Sequence, residues 1–315
     1  VSASDPAVAT NPAGGLGTLW MNSTSGKTYV LTDATAGSNI WFNVGSGFGD
    51  VSKPFGGLGG GTVSGYGSGG YGPPSDTNVN HIDKYSFTSD GNSSDVANLT
   101  VARAEASGNS SATHGYTSGG GNGPLSNVID KFTFSADADA TDVGDLTSAR
   151  RGSAGCSSST HGYAAGGLTS VHLNVIDKFS FSVDGNATDV GDLTTGTTYI
   201  AGQSSNTHGY ASGGYTPTFN KIERFSFVTD GNATDVGDLT VARYGAGGNS
   251  STTHGYTSGG AHALDIIDKF SFSSASNATD IGNLTSGRRY LDGASSTTHA
   301  YIAGGSPASG RSNVI

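Results

Sequence analysis

The 315-residue sequence has one cysteine, one methionine, two tryptophans and eight prolines. A single thiol, Cys156, excludes a framework of intrachain disulfides. Its Gly-Ser surroundings offer no metal-ligand spacing, so it reads as a small buried side chain. Charge is sparse as well: 13% of residues are Asp, Glu, Lys or Arg, with a net charge of −10. The 15 basic residues fall mostly in repeated positions, not in a run, and so do not form the concentrated basic surface that nucleic acid requires. No apolar run approaches the ~20 residues of a membrane-spanning helix, and no signal peptide is visible. Neither nucleic acid nor membrane insertion is therefore expected.

What the sequence has in quantity is glycine, 52 residues, together with Ser and Thr. The glycines recur at fixed places, which marks tight turns in a β protein and not disorder. From about residue 60 onward the chain is an edited copy of one unit, Thr160 to Thr194. The Tyr of its second strand recurs as Tyr66, Tyr116, Tyr163, Tyr210, Tyr256 and Tyr301, at intervals of 50, 47, 47, 46 and 45 residues. That period, filled with short alternating segments broken by Gly and Asn, is the signature of propeller blades, each a four-stranded sheet.

Spacing within the unit separates what is fixed from what varies. The Asp that opens D-V-G-D-L-T lies 21 residues before the next Tyr in all five copies, and the acid of I-D-K-F lies 12 residues before that Asp. From the Tyr to the I-D-K-F acid the count runs 17, 14, 14, 13 and 12, so one loop per blade is free to change. The predicted strands are the A-G-x-S-S stretch, T-H-G-Y, I-D-K-F-S-F and D-V-G-D-L-T. Asp-Gly-Asn at 90–92, 184–186 and 230–232 is read as a tight hairpin between the last two. Six Tyr-centred cores predict six blades over residues 48–315, with seven as the alternative. Asp50 to Pro54 is the candidate strand that joins the two ends of the ring. The chain opens on Val1 and closes on S-N-V-I, which in the second copy runs on into D-K-F, and it is read as a segment of a longer protein.

Residues 1–47 form a separate small β module of three short strands, T-L-W-M-N, K-T-Y-V-L-T-D and N-I-W-F-N-V-G, containing both Trp20 and Trp41. The string G-T-L-W-M-N-S-T-S-G-K-T-Y-V-L-T-D followed by N-I-W-F-N-V-G resembles a module of bacteriophage tail-fibre and virion appendage proteins. The double Gly that closes the second strand of each repeat, with Tyr just before it, resembles the kelch-type propeller repeat. The Trp of the last kelch strand is absent from D-V-G-D-L-T. S-V-D-G-N-A-T-D at 182–189 resembles the Asp-box turn of sialidase-like propellers, a folding element without its closing Trp here. These resemblances imply an all-β, kelch-like propeller at a virion surface or outside the cell. It would be present in several copies and joined to other virion or fibre proteins through residues 1–47.

Several residue sets invite a chemical role. His114, His161, His208, His254 and His299 come from different blades, about 10 Å or more apart, too far for the ~2 Å bonds of one metal. They are expected to bond to backbone or to an adjacent blade. The I-D-K-F acid and the Arg after D-L-T recur together in nearly every copy, which points to a structural ion pair. No cofactor, metal or catalytic residue is assigned.

The strongest functional signal is the loop set on one face, where the connections from second to third strand and from fourth to the next first strand both vary. Tyr71, His172, Tyr199, Tyr215, Phe219, Tyr244, His262 and Tyr290 are the candidate ligand-binding residues. Glu105, Arg151 and Arg289 lie among them in sequence. Aromatic side chains on a rigid scaffold suit stacking on sugar rings or filling pockets of a protein partner. The expected function is non-catalytic recognition of a host glycan or surface protein. A purely architectural role on a capsid or tail is the alternative, and a polysaccharide-degrading enzyme a more distant one.

Overall fold

The computed structural model describes residues 19–21, 27–33, 40–46, 63–72, 77–121, 123–308 and 310–315. The chain divides into two compact units, Val1–Lys53 and Pro54–Ile315. In the first, β1 (Leu19–Met21), β2 (Lys27–Asp33) and β3 (Ile40–Ser46) form one antiparallel sheet in sequence order. Trp20 pairs in register with Tyr29, and Trp41 with Leu31.

The second unit is a β-propeller. Its first blade has three described strands, β4 (Ser64–Gly72), β5 (Thr77–Ser86) and β6 (Ser94–Asn98). Four complete blades follow, each pairing its strands antiparallel in chain order. They are β7 (Ser107–Ser110), β8 (His114–Ser118), β9 (Val128–Thr133) and β10 (Thr141–Asp145); then β11 (Ala154–Ser157), β12 (His161–Ala165), β13 (Val175–Ser180) and β14 (Thr188–Asp192). Next come β15 (Ala201–Ser204), β16 (His208–Ser212), β17 (Lys221–Ser226) and β18 (Thr234–Asp238), then β19 (Gly247–Ser250), β20 (His254–Ser258), β21 (Ile266–Ser271) and β22 (Thr279–Asn283). The sixth copy yields only a hairpin, β23 (Asp292–Ser295) and β24 (Ala300–Ala303).

Among the described residues the propeller therefore has five blades and not the six expected. A Tyr-centred core is only half of a blade, and the sixth copy has no described third or fourth strand to complete its sheet. Its hairpin lies between the fifth and first blades, with β23 against β19 on one side and β4 on the other. Asp50–Pro54, the candidate closing strand, lies outside the described residues. Among the described residues the one helical element is a short 3₁₀ turn, Ala261–Ala263.

The sequence pattern explains how adjacent blades join. Each I-D-K-F strand has a central place in its sheet and is packed on both faces. Phe179 and Phe181 turn toward Tyr116 of the preceding blade, with ring centroids at 5.6 and 4.7 Å. Ile176, on the other side of the strand, packs with Tyr163 and Phe225 of the following joint. The same three-ring joint recurs at Tyr66, Tyr163 and Tyr210. Aromatic pairs of this kind are worth about 0.5–1.5 kcal/mol beyond their buried area.

The Asp-Gly-Asn segment joins the third and fourth strands as expected, in an antiparallel hairpin, but by a longer link than a tight turn. The link from β13 to β14 spans residues 181–187, and Gly185 is not among the residues with positive φ. Ser180 Oγ accepts the N–H of Ser182 and orders the turn, while Asn186 Oδ1 accepts the N–H of Asp145 in the preceding blade at 3.1 Å. Asn232 and Asn277 repeat that clamp on Asp192 and Asp238. The Gly of D-V-G-D makes room for it: a Cβ at Gly144 (φ 153°) would sit 2.3 Å from the carbonyl oxygen of Gly185.

Beneath one face, three of the joints hold a buried ion pair. Arg103 meets Asp130 at 3.0 Å, Arg150 meets Asp177 at 3.0 Å, and Arg243 meets Asp268, with all six side chains essentially inaccessible. Each Asp also accepts bonds from the D-L-T threonine: Thr147 gives both its N–H and its hydroxyl to Asp177 at 2.8 Å. Where the arginine is replaced by Thr197, the acid is Glu223, which accepts the Thr194 N–H at 2.7 Å. The expected structural pairing thus holds together the connection between blades, in the one setting where burying a charge is tolerable.

Candidate functional site at the channel mouth

The innermost strands β7, β11, β15, β19 and β23 run side by side around the centre of the propeller, and glycine lets them approach closely. A Cβ at Gly155 would lie 2.2 Å from the oxygen of Gly108, and the same contact recurs from Gly202 to Gly155. A central cavity of about 650 Å³ results.

At one rim of this cavity the repeat builds a ring. Six residues beyond the leucine of each D-L-T or N-L-T the copies place Glu105, Gly152, Tyr199, Gly245 and Tyr290. Here the chain has crossed from an outer strand to the centre and must turn sharply into the next inner strand. All five adopt the left-handed conformation, with φ of 57°, 66°, 55°, 63° and 54°. Their backbones are linked head to tail. The N–H of Gly152 donates to the carbonyl of Glu105 at 2.8 Å, Tyr199 to Gly152 at 2.7 Å, Gly245 to Tyr199 at 2.8 Å, and Tyr290 to Gly245 at 2.7 Å.

Glycine suits that conformation, whereas a side chain there costs on the order of 1 kcal/mol. Three of the five positions nevertheless carry large side chains, and the two glycines accommodate them. A Cβ on Gly152 would come within 3.1 Å of the Tyr199 ring, and one on Gly245 within 3.0 Å of the Tyr290 ring.

The side chains form a continuous aromatic group. Tyr199 lies 5.3 Å from Tyr290 edge-on and 6.2 Å from Tyr244, which in turn lies 4.7 Å from Tyr215. His172 meets Tyr215 edge-on at 6.4 Å, and the Arg289 guanidinium covers Tyr290 at 5.2 Å. Tyr215 and Tyr290 are more than 40% exposed, so faces of the group remain open to a ligand. Polar groups adjoin the rings: Tyr199 donates its hydroxyl to Glu105 Oε2 at 3.2 Å, and Arg151 pairs with the same oxygen at 3.3 Å. Burial raises the Tyr199 phenol to about 12 and holds the Glu105 carboxyl above its usual range, against the pull of Arg151. Two further acids line the cavity. Burial raises the Asp83 carboxyl, with Asp95 adding to the effect, and lifts the Asp292 carboxyl to about 6.

Of the eight candidate residues, Tyr199, Tyr215, Tyr244, Tyr290 and His172 are brought together. Tyr71 stands apart from them on the cavity wall with the Arg311 guanidinium over its ring at 4.8 Å. Phe219 is covered by the Lys221 ammonium at 5.3 Å, and His262 is exposed in the 3₁₀ turn. Glu105 and Arg151 join the site as polar partners. The signal for Glu105 was the constant offset from the leucine, which aligns it with Tyr199 and Tyr290.

The repeated histidines lie elsewhere and differ from expectation. Each takes a bond from or gives one to the hydroxyl of the threonine just before it, as in Thr160 Oγ1 to His161 Nδ1 at 2.8 Å, and not to backbone or to a neighbouring blade. They belong to turns on the opposite side of the blades, where Ser158 N–H closes on the His161 carbonyl. Among the described residues no three His, Cys, Asp or Glu side chains converge on a point where a metal would fit. Cys156 is fully buried, donates to the Tyr210 carbonyl at 3.3 Å, and has its thiol pushed up to about 12 by burial. No family model matches the chain, and comparison with curated proteins finds no match.

Proposed function

We propose that the channel mouth is a recognition site for a host-surface glycan, carried by a kelch-like propeller at a virion surface or outside the cell. Residues 1–47, by their resemblance to phage appendage modules, attach it to other virion or fibre proteins in a multi-copy assembly. The carrying observation is the ring itself: at positions whose backbone favours glycine, Tyr199, Tyr290 and Glu105 are retained at a conformational cost. Tyrosine rings with open faces suit the apolar faces of sugars. The Glu105, Arg151 and Tyr199 cluster supplies hydrogen bonds for hydroxyl groups.

The test is a glycan array and a whole-cell binding assay with the full chain, beside a variant replacing Tyr199, Tyr215, Tyr244 and Tyr290 by Ala. The expected outcome is glycan binding that falls at least tenfold in the variant while circular dichroism is unchanged. Binding unaffected by the four substitutions would place recognition elsewhere. No binding to any cell or glycan would favour the architectural role.

One observation favours a second reading, hydrolysis of the bound glycan. Glu105, Asp83 and Asp292 line one cavity, and burial raises each carboxyl, as a general acid requires. Release of reducing ends from a bound glycan, lost in Glu105→Gln, would establish it.

A further inference from the structure

Directly before each ring position the repeat places a second series, Ala104, Arg151, Thr198, Tyr244 and Arg289. Its two arginines differ in what answers them. Arg151 meets a carboxylate, Glu105 Oε2 at 3.3 Å, and that glutamate holds the ring position of the copy before. The ring position before Arg289 is Gly245, which has no side chain to offer. Arg289 is exposed, and among the described residues no carboxylate pairs with it. The lysines of three third strands, by contrast, are each answered across the joint, Lys84 by Asp137, Lys131 by Asp184 and Lys178 by Asp230.

Building on the reading of the mouth as a glycan site, we propose that the Arg289 guanidinium receives the carboxylate of an acidic sugar, a uronic or a sialic acid, whose ring lies on the adjoining tyrosines. The ligand's acid then does for Arg289 what Glu105 does for Arg151.

The guanidinium is held where this requires it. The Arg289 N–H donates to the Ser306 carbonyl at 3.0 Å, and its carbonyl accepts the Ser306 N–H at 2.7 Å, so its backbone is tied on both sides. Its central carbon lies 5.2 Å from the centroid of the Tyr290 ring. A guanidinium stacked on an aromatic ring keeps its in-plane N–H groups for the two parallel bonds that a carboxylate accepts. Tyr290 adjoins Tyr244 at 6.3 Å, and Tyr244 adjoins Tyr215 at 4.7 Å, which gives the apolar face of the sugar a surface beside the charge. Like charges fix the direction in which the ligand lies. Burial raises the Tyr290 phenol; Tyr244 and Glu105 add to that and Arg289 opposes it, so the tyrosine stands between the two charges. Asp83 and Asp292 line the cavity below. These carboxylates turn an anion away from the Glu105 side and from the cavity, which leaves the acid to Arg289 and the hydroxyl groups to the Glu105 and Arg151 pair.

The probes are a galacturonic acid trimer and a sialic acid trimer, each compared with its carboxyl-reduced form by calorimetric titration into the full chain. One of the two acids is expected to bind about tenfold or more tightly than its reduced form, and the one that does identifies the source of the carboxylate. Arg289→Gln is expected to bring that ratio to about one, and Arg289→Lys to an intermediate value, because lysine keeps the charge and loses the fork. The side chain is exposed, so the unfolding midpoint of both variants is expected to match that of the parent chain. Acid and reduced forms that bind equally, and are both lost in the four-tyrosine variant, would overturn the acidic assignment and leave the mouth a glycan site. A preference for the acid that survives Arg289→Gln would overturn the role of Arg289. Failure of both acids to bind, while neutral glycans bind through the four tyrosines, would overturn the proposal alone; failure of every glycan would remove the reading beneath it as well.

Discussion

At the joints between blades Tyr116, Tyr163 and Tyr210 each meet the same pair of aromatic rings at nearly the same distances, copy after copy. At the channel mouth the equivalent residue is Glu105, Gly152, Tyr199, Gly245 or Tyr290 on one unvarying backbone. Both regions arise from the same repetition. In the joints each side chain faces a copy of the same neighbour, so a change in one must be matched in the other. At the mouth the backbone bonds hold the geometry, and the side chain is released from that role. On the proposed reading, fold stability and recognition thereby fall to different atoms of the same repeat.

Breaking a joint is expected to have the largest effect. Asp177→Asn leaves the Arg150 guanidinium buried without its counter-charge, and a loss of about 3–5 kcal/mol is expected. Urea unfolding measures it, and a loss below 1 kcal/mol would show that the pair does not hold the joint. Between the two regions stands Asp292, an inner-strand acid with no cation partner among the described residues. Its carboxyl is raised from 3.8 to about 6, so the folded protein holds the proton more tightly than the unfolded chain does. The stabilisation from that proton is full below pH 4 and lost as pH rises through about 6. Asp292→Asn is expected to stabilise the protein by about 1–2 kcal/mol at pH 7, with the gain vanishing near pH 4. An unfolding midpoint with the same pH dependence in both proteins would count against it.

The smallest effect on stability is expected at the ring. Tyr199→Gly relieves a left-handed side chain and forfeits its ring contacts, for a net change within about 1 kcal/mol by thermal unfolding. The same variant is expected to lose glycan binding, which separates the two regions in one experiment. A large destabilisation would mean that the mouth is a joint like the others.

Much of this architecture was legible in the sequence, because a repeat exposes its own constraints. Fixed counts of 21 and 12 residues gave strand order and the face on which loops vary, and the recurring acid and arginine announced a shared structural task. Blade number was not legible: Tyr301 signals a core, yet a core counts as a blade only with its third and fourth strands, and these are not among the described residues of the sixth copy. The role of Asn186 was hidden for a similar reason. Local turn chemistry reads Asp-Gly-Asn as a hairpin, whereas its oxygen serves a strand 41 residues earlier. At the mouth, residue types pointed to Tyr199, Tyr215, Tyr244 and Tyr290. That Phe219 turns under Lys221, and that Tyr71 stands apart, depended on loop paths no spacing encodes.

The chain of amide bonds from Glu105 to Tyr290 has one further consequence. An amide donates and accepts in the same way whichever residue bears it, so the hoop fixes the aperture while remaining indifferent to its ornaments. The side chains at Glu105, Tyr199 and Tyr290 can change without altering those bonds, whereas Gly152 and Gly245 are held to glycine by the neighbouring rings. The mouth is in that sense a keyboard with three exchangeable keys, set in a frame of backbone and kept apart by two glycines.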